Sequence, residues 1–309
     1  MRIRRVKVGY KDFTASEEQE FRKFLANDPT HGILVSVEAK LPAGTTTGGA
    51  WIHHAEIIKK LSLVLGEETV QEWSGRDLWE FMTLLQRVTP FYFRTDWAVS
   101  TTLYARFTLR IPLIVPVPSG VPINLVVETG ALTDVFSGGT HTWSECKVWV
   151  YQDIWEDLTA AQREEMDATN IYVEAGSSSE TLSGTKAEDP HDFDLSSGGT
   201  IMGFLVRERD NSALDDDLVT SVQLEYKRRP VQKEVRKRTI LSDSVAKFGV
   251  AHVTGFWFLD LDGDGDGRGL LVTKPGQLMQ LRVKHGAVTG TADLKVIPIR
   301  FKRYVEAAA

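Results

Sequence analysis

Leu61–Gln71 reads LSLVLGEETVQ and Val222–Gln232 reads VQLEYKRRPVQ, and the two stretches align without a gap. Apolar side chains recur at every second position: Leu61, Leu63 and Leu65 in one, Val222, Leu224 and Tyr226 in the other. A period of two puts those side chains on one face of a β-strand. In each stretch a polar turn follows, and Val-Gln opens the next run, at Val70-Gln71 and at Val231-Gln232. A strand–turn–strand signature written twice points to a duplicated fold.

The repeat continues in the same order along both halves. Ala105–Leu113 (ARFTLRIPL) aligns with Gly255–Gly263 (GFWFLDLDG), which pairs Phe107, Leu109 and Ile111 with Trp257, Leu259 and Leu261. Ile123–Gly130 (INLVVETG) aligns with Met279–Gly286 (MQLRVKHG), and Lys147-Val148 with Lys295-Val296. A helix recurs as well. The first, Ser74–Val88, is capped by Ser74 and Asp77, carries Leu78, Phe81, Met82, Leu85 and Val88 on its inner stripe, and is followed by Pro90. The second, Ser242–Phe248, is closed by Gly249. Many short strands without a βαβ rhythm predict an all-β chain of two tandem antiparallel sandwiches of jelly-roll type, each with a short helix after its second matched strand.

The expected organisation is an N-terminal arm over residues 1–30, with a short helix carrying Phe21, Phe24 and Leu25 behind Ser16 and Gln19. The first jelly roll covers 31–156, a connection and surface loop 157–199, the second jelly roll 200–305, and a tail 306–309. Within the connection, Thr159 to about Asp167 is read as a short helix with Gln162 in the capping position. A chain of 309 residues with 42% apolar residues has enough material for two cores. A formal net charge of −6 argues against a protein whose main task is to coat nucleic acid. The single cysteine, Cys146, forms no intramolecular disulfide and reads as a small buried hydrophobe. No run of about 20 apolar residues, the length of a membrane span, occurs.

This layout resembles the double jelly-roll major capsid proteins of tailless icosahedral viruses, especially those of prokaryotes. The resemblance covers about Gly32 to Val305 and rests on Ile57–Leu78 (IIKKLSLVLGEETVQEWSGRDL), Leu218–Ile240 with the helix Ser242–Phe248, Gly255–Arg268, Leu278–Gly286 and Asp293–Val305. It implies a homotrimer of pseudo-hexagonal outline that tiles a virion shell beside neighbouring trimers and other capsid proteins. The basic N-terminus without a following apolar run fits synthesis and assembly in the host cytoplasm, and with no catalytic motif in the sequence neither enzymatic activity nor a small-molecule substrate is expected. Members of that family often cover an internal membrane, with the N-terminal arm on the inner side. The basic residues Arg2, Arg4, Arg5, Lys7 and Lys11 suit contact there with membrane or genome. The alternative is a viral spike, or another two-domain β-protein that binds a carbohydrate or receptor through an exposed aromatic row.

Among motifs that carry chemistry, Asp260, Asp262, Asp264 and Asp266 alternate with glycines in a pattern resembling a calcium loop. Ca²⁺ is the one cofactor considered, although position twelve falls on Leu271 or Thr273 where a bidentate Glu belongs. The same pattern suits a solvated acidic hairpin turn. The seven histidines show no metal-ligand spacing, and adjacent His53 and His54 on a strand would point to opposite faces. No nucleophile elbow or phosphate-binding glycine loop is present. Glu38, Glu56 and Glu128 are carboxylates that a sandwich could pair for glycoside chemistry. The eight tryptophans read as core or subunit interface. The basic run Lys227-Arg228-Arg229-Pro230, continued by Lys233, Arg236, Lys237 and Arg238, suits a solvated turn, an intersubunit salt-bridge partner for acidic loops such as Asp215–Asp217, or a polyanion contact, the second being preferred.

Overall fold

A computed structural model describes residues 2–41, 52–85, 90, 92–94, 103–131, 134–135, 145–168, 171–182, 189–211, 213–249, 253–262, 269–288 and 291–303. The chain divides into two units, one built from residues 1–82 and 88–173 and the other chiefly from residues 174–303.

The first unit holds β1 (Arg2–Asp12), β2 (Glu18–Phe21), β3 (Thr30–Leu41), β4 (Ile58–Leu65), β5 (Glu68–Trp73), α1 (Gly75–Leu85), β6 (Tyr92–Arg94), β7 (Leu103–Ile111), β8 (Ile123–Thr129), β9 (Glu145–Glu156) and α2 (Ala160–Asp167). One sheet runs β1-β9-β3-β7-β6; the other contains β5-β4-β8-β2, all antiparallel. Alternation explains the layering. On β8 the burial alternates at every residue, so Leu125 and Val127 enter the core while Asn124 and Val126 lie at half depth. Ile33, Val35, Val37, Phe107, Leu109, Val148 and Val150 face the same way on the other sheet's strands and are fully buried. Each such side chain contributes roughly 1.5–3 kcal/mol by leaving water. The helix α1 starts where expected, with Ser74 Oγ accepting from Asp77 N at 3.1 Å.

The chain passes to the second unit through β10 (Ile171–Ala175) and continues as β11 (Ser178–Leu182), β12 (Asp189–Leu195), β13 (Gly199–Asp210), β14 (Ala213–Leu214), β15 (Val219–Tyr226), β16 (Arg229–Arg236), α3 (Lys237–Phe248), β17 (Phe256–Asp260), β18 (Leu271–Thr273), β19 (Met279–His285) and β20 (Ala292–Arg303). One sheet is built around β13 and β20, with β11 on β20 and β17 on β13; the other runs β12-β19-β15-β16. Phe193, Phe204, Trp257, Leu281 and Leu294 fill the space between them.

The two units share one topology. The sheet β1-β9-β3-β7 corresponds to β11-β20-β13-β17, and β5-β4-β8-β2 to β16-β15-β19-β12. Two four-stranded antiparallel sheets in this order form a jelly roll, and the chain contains it twice. The alignment read from sequence falls on matching strands throughout. β4 matches β15 at Leu61 and Val222, β8 matches β19 at Leu125 and Leu281, and the β3–β9 pair Val37–Val148 matches the β13–β20 pair Val206–Val296. A helix follows the second hairpin strand in both, and Gly249 closes α3 at φ 63°.

Three expectations need correction. Residues 16–25 form no helix: Ser16 has φ 59° in a turn that Glu17 ties to Thr14, and β1 and β2 pair with β9 and β8. Residues 1–30 are therefore two edge strands with their following turn, since backbone pairing to existing sheets outweighs a weak helical pattern. Residues 157–199 are more than a connection. Thr159 and Gln162 form the capping box of α2, whereas β11 and β12 complete the second jelly roll, so that sandwich begins well before residue 200. Finally, β16 ends at Arg236 and α3 starts at Lys237 rather than Ser242.

Candidate functional site

Groups that could do chemistry are mostly engaged in structure. His53 accepts from Ala55 N through Nδ1 and caps a 3-10 turn over His54–Ile57. The two adjacent rings therefore stack at 4.2 Å instead of pointing apart, and His54 lies between His53 and Tyr92. His31 packs on Trp155, His191 pairs with Glu180 at 2.6 Å, and His285 is buried beside Gly286 O. His141 and His252 lie outside the described residues. Glu38 is held by Arg106 and Glu128 by Lys59. Cys146 is buried, and burial pushes its thiol up to about 12, which keeps the thiolate from forming at neutral pH. Trp73, Trp79 and Trp257 are core residues and Trp149 and Trp155 are half-buried; Trp51, Trp97 and Trp143 lie outside the described residues.

Of the acidic loop, Asp264 and Asp266 lie outside the described residues. Asp260 forms an ion pair with Lys247 from α3, and the same ammonium donates to Asp262 O at 2.5 Å. A cation of the chain itself thus pairs with the Asp260 carboxylate and ties it to the backbone of Asp262. Among the described residues no three His, Cys, Asp or Glu side chains gather as a metal site.

The N-terminal basic residues are spread along β1. Arg4 pairs with Glu156 at 2.6 Å, and Arg5 grips Asp153 through two bonds of 2.8 and 3.1 Å. Lys7 lies over Tyr10 and Lys11 over Phe21. Arg2 is exposed. Two of the five cations are therefore already matched by carboxylates.

The other basic run has a different character. Lys237 is buried and pairs at 2.8 Å with Glu208, which has no exposed surface. Trp257 Nε1 and the backbone N of Val219 also donate to Glu208, and Lys237 donates to Asp216 O. The rest stays outside: Lys227, Arg228, Arg229, Lys233, Arg236 and Arg238 are all exposed along the β15–β16 turn, β16 and the start of α3. The one acid of that stretch, Glu234, is held by Lys284 and Ser221. Six exposed cations thus line the outer strand of this sheet, its turn and the start of α3.

Two jelly rolls of one topology in a single chain define a double jelly-roll protein. No protein-family model matches the chain, and no curated protein matches it. Solved structures do. The crystal structure of the STIV MCP is 15% identical over 100% of both chains, with a TM-score of 0.77. The structure described as that of Sulfolobus Turreted Icosahedral Virus is 14% identical over 97% of this chain and 91% of that one, at 0.75. The major capsid protein P2 from bacteriophage PM2 is 8% identical over 99% of both, at 0.63. The likeness spans both jelly rolls.

Proposed function

We propose that the chain is a structural major capsid protein, without catalytic activity, that forms pseudo-hexagonal homotrimers tiling an icosahedral virion shell. The observation that carries this reading is the duplicated jelly roll, matched end to end by capsid proteins. Three copies of a subunit with two like halves present six similar sandwiches around one axis, which suits hexagonal tiling with a trimer. Packed sandwiches supply rigid walls, and among the described residues His53 and His54 stack while Glu38 and Glu128 are held in ion pairs. The virion is then its place of work, after synthesis and assembly in host cytoplasm. Contact of Arg2, Arg4, Arg5, Lys7 and Lys11 with an internal membrane or genome is a further part of the reading, weakened by the carboxylates that already hold Arg4 and Arg5.

Light scattering on the purified protein tests the reading. A stable mass near three times 34.5 kDa is expected. A monomer at all concentrations would overturn the trimer and turn attention to a spike or receptor-binding role.

A further inference from the structure

The two matched hairpins agree in fold and disagree in charge. With β4 laid on β15 and β5 on β16, Glu67 falls on Arg228 and Glu68 on Arg229; the pairings agree as far as Gln71 and Gln232, beyond which Glu72 meets the bulge at Lys233-Glu234 of β16. Glu67, Glu68, Arg228, Arg229 and Lys233 are all exposed, and none has an ion-pair partner among the described residues. Glu72 pairs with Lys60 at the edge of the acidic hairpin. Two aligned positions thus carry two acids in the first jelly roll and two bases in the second.

The basic turn holds its charges against a conformational cost. Lys227 and Arg228 both adopt positive φ, at 54° and 59°, in a two-residue turn where Asn-Gly is the easy choice. The strand behind it is closed to strand addition, because Pro230, Lys233 and two register shifts lie on β16. Contact there must run through side chains. Stacking on nucleic-acid bases has little support, since the one aromatic at the turn, Tyr226, is covered by Lys227 and accepts from Lys274 N at 2.9 Å.

We propose that these hairpins dock on each other between copies: the acidic β4–β5 hairpin of one chain meets the basic β15–β16 hairpin of a second copy. The proposal rests on the shell reading, in which like halves of neighbouring copies take equivalent places. Equal charge on equivalent hairpins would make such neighbours repel. Opposite charge makes first-half to second-half contact attractive and penalises contact between two first or two second halves. The reversal therefore sets which half sits next to which.

The test is sedimentation of the full chain at low and high salt, with circular dichroism to confirm folding of each variant. Arg228→Glu with Arg229→Glu should raise the apparent dissociation constant about tenfold or more at low salt and flatten its salt dependence. Glu67→Lys with Glu68→Lys should do the same. Combining all four swaps the signs and should return association to within about threefold of the parent, because the pair is complementary again. Association indifferent to either reversal overturns the contact alone, as does a fourfold variant no better than the doubles. So does a basic-hairpin reversal that spares association and abolishes binding to duplex DNA. A parent chain that stays monomeric overturns the shell reading and this contact with it.

Discussion

Glu208 lies on β13 with no exposed surface, and donors from three other elements converge on its carboxylate: Lys237, Trp257 and the backbone of Val219. A buried pair of this kind is stable only while both members are present. Glu208→Ala should lose about 3–5 kcal/mol in urea denaturation, and adding Lys237→Met should restore a large part by removing the stranded ammonium. Glu80 shows the same physics without such support. Burial pushes its carboxyl up to about 7, against the pull of Arg76 at 2.7 Å. A raised carboxyl is protonated in the fold at pH values where the unfolded chain has already ionised, so its stabilising effect is complete below the ordinary Glu value and is lost as pH rises through 7. The melting temperature of the parent should therefore fall between pH 5 and pH 8 more steeply than that of Glu80→Gln. Lys247 argues in turn about the acidic loop. Because its ammonium already serves Asp260, calcium should raise the melting temperature of Lys247→Ala more than that of the parent; equal responses would sink that account.

At the scale of elements, the hairpin β15–β16 sets a turn preference against a charge pattern. Replacing Lys227-Arg228 by Asn-Gly should stabilise the fold by about 1 kcal/mol in chemical denaturation, since both positions are left-handed. The same change should weaken self-association, because it removes two of the exposed cations. Strands were legible where apolar residues alternate in sequence, as in β4, β8, β15 and β19; in β8 and β19 burial alternates with them, whereas in β4 and β15 Ser62 and Ser221 are buried as well. The start of α3 was not. Ser242 is a strong local cap signal, whereas the actual boundary residue, Arg236, makes no side-chain cap. The helix begins at Lys237 because that side chain reaches the buried Glu208, a partner 29 positions earlier that no local pattern reveals.

For the whole molecule, the repeated topology matters more than any one site. If the proposed trimer is the folded form, binding between copies adds to stability, so the melting temperature should rise with protein concentration. A melting temperature independent of concentration across a hundredfold range would speak for a self-sufficient monomer. Charge follows the same logic. The chain is net negative, yet one hairpin carries a dense group of bases, and such an uneven distribution steers partners without disturbing the cores.

The sequence by itself determined the all-β class, the duplication and which faces of the central strands are buried, because a period of two is a local property that side chains write directly. It also showed that cations cluster at 227–238. The tertiary structure alone decided that residues 2–12 form an edge strand, that polar segments such as Asp189–Leu195 belong to the second sandwich, and that Lys247 answers Asp260. Edge strands are held by backbone hydrogen bonds to a distant partner, which almost any side chain permits. Ion pairs form between residues brought together by the fold, and their spacing along the chain carries no mark of it.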